Sequence, residues 1–181
     1  LFHGINESDL HCEVGILAKS HRVSFPSSMN KSAFPFDLVH SDVWGPSPVS
    51  VASGIKWFVT FVDDCTRMTW LYVIKHKSDV ALVFQSFYQM IKTQYSSSIK
   101  VLRSDNGGEY INSELSQFLC THGILHETTC PHTPQQNGVA ERKNRHILET
   151  ARALILGASV PQRFLAGSGH LCYLSHQPYA I

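Results

Sequence analysis

The chain has 181 residues, of which 43% are hydrophobic and 16% charged, and its formal net charge is +1. These values predict one ordinary globular domain with a sizeable core, and they exclude a disordered chain. Because no apolar run approaches the roughly 18 residues of a membrane span, we predict no membrane partner. The near-zero charge means that any binding of nucleic acid must depend on a local basic patch.

Residues 1–34 are polar, rich in His and only weakly periodic. Four possible zinc ligands lie in this leader: His3, His11, Cys12 and His21. No second Cys completes a zinc-binding pair, because Gly15 stands three residues after Cys12. We therefore predict a flexible leader without zinc. The five Cys residues of the chain are scattered and odd in number, which predicts a reducing compartment rather than a disulfide framework.

The first predicted strand runs from Phe36 to Val43, ends at a Trp-Gly-Pro sequence and carries Asp42 near its end. Two further β-type runs, Lys56 to Val62 and Thr69 to Ile74, are joined by a short polar segment. This arrangement predicts a β-hairpin, and the apolar residues on both of its faces predict burial in a central sheet.

Helical spacing of apolar residues predicts a helix from Ser78, as its N-cap, to about Tyr95. A short strand, Ile99 to Leu102, follows and delivers Asp105 beyond its end. Further elements are predicted in order: a helix from Asn112 to Gly123, a strand from Ile124 to Thr128, a loop from Pro131 to Gly138, a long helix from about Gln135 to Leu156 and a helix from Pro161 to His176. The order predicts an α/β fold in which a five-stranded mixed sheet has helices on its faces.

On the long helix, 100° per residue places four apolar residues on one face: Ala140, Ile147, Ala151 and Leu154. Glu141 lies at the edge of that face, and Arg145 and Arg152 follow it along one stripe. Glu141 therefore joins Asp42 and Asp105 as a third carboxylate at an element's end. Three such carboxylates are the oxygen ligands that a site for two divalent metal ions requires.

Each carboxylate also has a simpler interpretation. Asp42 could be an edge-strand residue, Asp105 could support an Asn-Gly turn, and Glu141 could be a solvated charge paired with Arg145. Asp63 and Asp64 compete as metal ligands, because they too follow a strand. The 35 residues between Asp105 and Glu141 are weak evidence by themselves, since 14 acidic residues form many pairs.

Basic and amide side chains surround Glu141 in the sequence. We predict that Arg142, Lys143 and Arg145 contact DNA phosphates, although a solvated face is the alternative. Asn137 and Asn144 lie within about a turn of Glu141, and we expect them either to orient it or to contact DNA. His132 is interpreted as a loop histidine. The chain contains no hydrolase motif of the GxSxG type and no phosphate-binding glycine loop.

Four segments, HSDVWGP, VDDCTR, LRSDNGGEY and CPHTPQQNGVAERKNRHILETARALI, resemble the integrase core of copia-type retrotransposons with long terminal repeats. The resemblance runs in order from about Phe36 to Ala158. It implies a ribonuclease-H-like fold, similar to that of retroviral integrases, with a D,D-35-E triad formed by Asp42, Asp105 and Glu141. Residues 1–34 resemble a degenerate remnant of the family's zinc-binding module, and residues 35–181 the catalytic core, truncated at its C-terminal side.

The resemblance further implies two Mg²⁺ (or Mn²⁺) ions held by the triad. The expected reaction joins 3′-hydroxyl ends of element cDNA to target DNA, with a homo-oligomer assembled on the DNA. The expected location is the nucleus, after earlier assembly in cytoplasmic particles. Two rival functions stay open: a ribonuclease-H-like nuclease that hydrolyses rather than joins, and an inactive relic that only binds DNA.

Overall fold

The structure, a computed structural model, describes residues 31–47, 54–129, 137–157 and 179–180. The chain divides into two units, Leu1–Asn30 and Lys31–Ile181, and every described residue lies in the second. The leader's possible zinc ligands, His132, most of the predicted 131–138 loop and the predicted 161–176 helix lie outside the described residues. The division into a zinc-module remnant and a core therefore stays a prediction.

The described elements begin with three strands, after which helices and strands alternate along the chain. They are β1 (Leu38–Trp44), β2 (Trp57–Asp63), β3 (Thr69–Ile74), α1 (Val80–Tyr95), β4 (Val101–Ser104), α2 (Ser113–Thr121), β5 (Leu125–Thr128), α3 (Gly138–Gly157) and β6 (Tyr179–Ala180). A 3₁₀ turn, Lys77–Asp79, precedes α1. All five predicted strands are therefore confirmed. The two-residue β6 was not predicted, because a strand so short leaves no periodic pattern.

The strands form one mixed sheet in the order β5-β4-β1-β2-β3-β6. β2 is antiparallel to both β1 and β3, which confirms the predicted hairpin, whereas β4 is parallel to both β1 and β5. β6 lies antiparallel to β3. β1 is thus a central strand, and its carboxyl end lies at the same edge of the sheet as the carboxyl end of β4.

Helices cover both faces of the sheet, as predicted. The larger core lies under α1 and α2, where Phe84, Phe87 and Leu115 are fully buried. A smaller cluster lies under α3, where Ile147 and Leu148 pack with strand residues. Alternate residues of β1 divide between the two faces. Val39, Ser41 and Val43 face the larger core, and His40, Asp42 and Trp44 face the side of α3.

The structure corrects two predicted boundaries. Ser78 is not the N-cap of the first helix: it lies inside the 3₁₀ turn, and the carboxylate of Asp79 accepts a hydrogen bond from the backbone N–H of His76. β4 begins two residues later than predicted, because its extent is set by parallel pairing with β1 and β5 rather than by apolar residues. The predicted start of the second helix is correct, since Asn112 caps α2 by accepting from Leu115 N.

On α3, burial of Ala140 and Ile147 confirms the predicted apolar face. The same buried stripe also holds two polar residues, Asn137 and Asn144. None of the helices in the described ranges has the length and apolar character that crossing a membrane would require.

Candidate functional site

The three predicted carboxylates lie at one edge of the sheet. Asp42 is near the carboxyl end of β1, and Asp105 directly follows β4. Because β1 and β4 are parallel neighbours, these two strand ends meet at the same edge. Glu141 lies in the first turn of α3, which packs across β1 and β2. The sheet and the helix therefore bring three distant parts of the sequence together.

The electrostatics of Asp42 couple the three carboxylates. Burial and, after it, the negative charges of Asp105 and Glu141 raise the pKa of Asp42 to about 7. Hydrogen bonds from Asn144 and from the backbone of Val43 act in the opposite direction, but they do not outweigh burial and repulsion. None of the ion pairs among the described side chains involves Asp42, Asp105 or Glu141.

Asn144 connects Asp42 to the helix that carries Glu141. Its Nδ2 donates to Asp42 Oδ2 over 2.8 Å, and its Oδ1 accepts from Thr60 Oγ1 over 2.8 Å. Thr60 is also the residue opposite Asp42 in the β1–β2 pairing. Asn144 is only 2% exposed. Since Asn144 is three residues after Glu141, this chain of bonds fixes two of the carboxylate-bearing elements relative to each other.

Ser41 is a second connection between the site's segments. Its Oγ and the hydroxyl of Tyr110 share a buried hydrogen bond of 2.6 Å, and its carbonyl oxygen accepts from Asn137 Nδ2 over 2.9 Å. Asn137 is 1% exposed, and its Oδ1 has no hydrogen-bond partner among the residues that the structure describes. The residue beside Asp42 is therefore bonded both to the segment that follows Asp105 and to the start of α3.

The prediction that Asn137 and Asn144 contact DNA is wrong for this structure, because both side chains are buried and bonded inside the protein. The alternative prediction, that they orient Glu141, also needs correction, since Asn144 bonds to Asp42 and Asn137 to Ser41. Their spacing with Ala140 and Ile147 is the signal that sequence analysis missed, because it places both amides on the buried stripe.

Asp105 begins a tightly bonded turn. Its Oδ1 accepts from Gly107 N over 3.0 Å, so the predicted turn role of Asp105 is confirmed alongside its place at the site. A Cβ at Gly107 would lie 2.7 Å from the carboxylate of Glu109, so a side chain at this position would displace that carboxylate. Glu109 in turn pairs with Lys77 over 2.6 Å, which anchors this segment to the 3₁₀ turn before α1. Sequence analysis did not identify Lys77, Glu109 or Tyr110 as supports of the site.

The basic residues beside Glu141 are accessible. Glu141, Arg142 and Arg145 are exposed and Lys143 is half-buried. The alternative in which Glu141 is neutralised by Arg145 is not observed: no ion pair joins these two side chains, both of which the structure describes. Contact of the three cations with DNA stays a prediction.

Asp63 and Asp64 lie at the carboxyl end of β2 and just beyond it, three and four residues after Thr60, the partner of Asp42. Asp63 accepts from Phe36 N, Thr66 N and Thr66 Oγ1, and it is fully buried. Asp64 accepts from Ser32 N and His40 Nε2. The alternative that one of this pair is a ligand of the metal site is therefore wrong, because both carboxylates are distant from the site and occupied by structural hydrogen bonds.

The donor atoms at the carboxylate edge suit a hard divalent cation. Carboxylate oxygens are preferred ligands of Mg²⁺ and Mn²⁺, and a cation there would offset the repulsion that raises the pKa of Asp42. The described side chains nevertheless contain no group of three or more His, Cys, Asp or Glu residues already close enough to hold a metal ion. The ligand types fit a hard divalent cation.

Comparison with known proteins gives a consistent result. The family model described as "Integrase core domain" matches residues 33–134. The chain is 44% identical over 171 residues to the retrovirus-related Pol polyprotein from transposon TNT 1-94 of Nicotiana tabacum. It is 42% and 40% identical, each over 155 residues, to those from transposons RE2 and RE1 of Arabidopsis thaliana. These matches cover 94%, 86% and 86% of this chain but only 13%, 10% and 10% of the relatives.

Solved structures share the fold at lower identity. A chain in the simian T-cell lymphotropic virus intasome is 19% identical, with a TM-score of 0.57 over 71% of this chain and 44% of that one. The HTLV-2 integrase catalytic core domain, solved in complex with magnesium in a trimeric form, is 18% identical. Its TM-score is 0.52 over 74% of this chain and 81% of that one. These likenesses confirm the predicted ribonuclease-H-like architecture.

Proposed function

Because this chain belongs to the integrase core domain family, we propose that it is the catalytic core of a retrotransposon integrase. Its reaction would be polynucleotidyl transfer, which joins the 3′-hydroxyl ends of element cDNA to target DNA. The observation that carries the proposal is the meeting of Asp42, Asp105 and Glu141 at one sheet edge, where the charges of the other two raise the pKa of Asp42. The chain spans only about a tenth of the length of the relatives that it matches. These relatives show the family, and the activity of this chain is the proposal.

Asp42, Asp105 and Glu141 are the residues that would hold the divalent metal, as two Mg²⁺ or Mn²⁺ ions. When bound, such ions activate the attacking oxygen and stabilise the leaving oxygen of a phosphodiester. The magnesium complex of the HTLV-2 core supports this metal for a related fold.

The surrounding residues would position these ligands and the DNA. Asn144 and Thr60 hold the carboxylate of Asp42 in one orientation, because each bond leaves fewer rotamers open to it. The exposed cations Arg142 and Arg145, with half-buried Lys143, would bind backbone phosphates next to the reacting bond. These roles divide α3 into a buried side that organises the carboxylates and an exposed side that binds DNA.

The proposed setting follows from the substrates. Target DNA is chromosomal, so the parent protein would act in the nucleus after assembly in cytoplasmic particles. Two cDNA ends must reach one target, which favours a homo-oligomer on DNA. The trimeric form of the HTLV-2 core and the intasome of the simian virus support assembly in this fold.

The test is a joining assay with a 3′-hydroxyl duplex oligonucleotide, a target plasmid and Mg²⁺ or Mn²⁺. We expect the wild type to join the two DNAs, and Asp105→Ala and Glu141→Gln to lose joining by at least about 10³-fold, since each removes a proposed metal ligand. Glu149→Gln is the matched control, because Glu149 is an exposed glutamate on the same helix, and it should join normally.

The products separate the rival functions. Plasmid nicking without covalent joining would replace the proposal with a hydrolytic nuclease. Joining that survives Asp105→Ala would overturn the assignment of the triad. Absence of both reactions from protein whose folding is verified by circular dichroism would support the inactive relic.

A further inference from the structure

A pair of lysines lies at the carboxylate edge of the sheet, at the start of β2 and the end of β3. Trp57 and Ile74 are the terminal pair of the β2–β3 ladder, Lys56 and Lys75 directly flank them, and Lys56 N donates to Ile74 O over 3.4 Å. Strand alternation places both lysines on the face of Phe58 and Val73, which is the face that carries Asp42. Both side chains are exposed.

Among the described residues, neither lysine of this pair forms an ion pair with a carboxylate. Four cations form ion pairs with carboxylates: Arg67, Lys77, Lys100 and Arg103. Lys92 instead lies over the ring of Tyr88. Apart from Lys31, the described Lys and Arg side chains without either kind of contact are the lysine pair and the three basic residues beside Glu141. The free positive charge of the core is therefore concentrated around the candidate site.

The backbone at Lys56 is held in place. Ser47 N donates to Lys56 O over 2.7 Å, and Gly45 approaches so closely that a Cβ there would lie 2.7 Å from the same oxygen. Two adjacent cations without a carboxylate, on a rigid edge, suit a ligand with repeated negative charge.

We propose that the lysine pair binds the phosphate backbone of the target duplex. The proposal rests on the proposed function, because it assigns one of the two DNA substrates to a surface. Lys56 is four residues beyond Thr60, the partner of Asp42, so its backbone lies roughly 13 Å from Asp42 along the strand direction. That distance spans about four steps of B-form DNA, at 3.4 Å each.

Target and donor differ in how far they extend from the site. A target strand is attacked at an internal phosphodiester and continues on both sides of it, whereas the donor strand ends at the site. The lysine pair lies at the ends of β2 and β3 and the basic residues of α3 lie beside Glu141, so a continuous target backbone would contact both groups.

The primary test measures binding of the full 181-residue chain to a linear duplex, without metal, over a series of salt concentrations. Binding weakens as salt rises, and each lost phosphate contact reduces the magnitude of the slope of log K against log salt by about 0.9. Lys56→Gln/Lys75→Gln should therefore reduce the magnitude of the slope by about 1.8, and Lys56→Arg/Lys75→Arg should preserve it. The matched control is Lys31→Gln/Lys92→Gln, which removes the same charge from exposed positions elsewhere and should also preserve the slope.

In the joining assay, the Gln pair should raise the half-saturating concentration of target plasmid severalfold and leave that of the donor oligonucleotide unchanged. Any of three outcomes would overturn the inference. The slope could be unchanged in the Gln pair, its magnitude could fall equally in the control, or only the half-saturating concentration of the donor oligonucleotide could change. The binding measurement needs no catalysis. If the Gln pair reduces the magnitude of the slope but the wild type cannot join DNA, the proposed function is refuted and the lysine surface is retained. If the wild type joins DNA but the Gln pair leaves the slope unchanged, the proposed function is retained and the lysine surface is refuted.

Discussion

Two acidic sites lie along the β1–β2 ladder, one at its Val39–Asp63 end and one at the Asp42–Thr60 pair, and they differ in how their carboxylates are satisfied. Asp63 receives three hydrogen bonds, two of them from backbone N–H groups. Burial by itself would raise the pKa of Asp64, but bonds from Ser32 and His40 and the charge of Arg67 outweigh it and lower that pKa. At the other site, burial and repulsion raise the pKa of Asp42 to about 7.

The difference separates a structural carboxylate from a functional one. Both pairs follow strands and look alike in sequence, but one has its donors supplied by the fold and the other is left with excess negative charge. Removing a structural carboxylate should cost stability. Removing a functional one should cost activity and leave stability nearly unchanged or improved.

The largest expected effect is that of Asp63→Ala, which should lower the free energy of unfolding by about 3 kcal/mol. The reason is that three buried or half-buried donors lose their acceptor, and each unpaired buried donor costs about 1–3 kcal/mol. Urea denaturation at pH 7 without divalent metal measures it. The matched variant is Asp105→Ala, with an expected loss below about 1 kcal/mol; equal losses in the two variants would remove the distinction between the sites.

Asn144→Ala should destabilise the fold by about 2 kcal/mol, because Thr60 Oγ1 loses its acceptor and Asp42 loses a donor. The pKa of Asp42 should rise further, since the Asn144 bond lowers it. In a double-mutant cycle with Thr60→Val, we expect a coupling energy of about 1 kcal/mol between the two positions. Strictly additive losses would show that the bond between Thr60 and Asn144 contributes nothing.

Asp42→Asn should stabilise the metal-free protein at pH 8 by about 1–2 kcal/mol. The pKa of Asp42 is raised from 3.8 to about 7, so the folded state binds its proton more tightly than the unfolded chain does. The wild type therefore loses stability as pH rises from about 4 to about 7, and the variant lacks this loss. Thermal denaturation across that range measures the difference, and an advantage that is already complete at pH 4 would contradict the assignment.

The smallest effect concerns the support beneath Asp42. Tyr110→Phe should cost about 1 kcal/mol in urea denaturation, because Ser41 Oγ is left buried without a partner. Adding Ser41→Ala should recover most of the loss, since both polar atoms are then removed together. If the double variant loses the sum of the two single losses, the hydrogen bond is not what Tyr110 contributes.

Elements with a strong period could be predicted from sequence: the β2–β3 hairpin, α1 and the apolar face of α3 all have one. The residues that carry the site could be predicted only in part. Asp42 and Asp105 are marked by strand ends, but the choice between them and Asp63 or Asp64 depends on hydrogen bonds formed across the fold. Asn144 was misassigned because a polar residue near a carboxylate suggests a ligand contact, whereas its helical position decides that it is buried.

The bonds that organise Asp42 join residues far apart in the chain. Asn144 follows Asp42 by 102 residues, and Asn137 follows Ser41 by 96. At 5–20 residues per second, a ribosome needs between about 5 and 20 s to add such a stretch. During that time the hairpin of β1 to β3 can form from local contacts, but the carboxylate edge is incomplete. The candidate site therefore cannot form until α3 has been synthesised and packed, so the order of translation itself delays the appearance of the site.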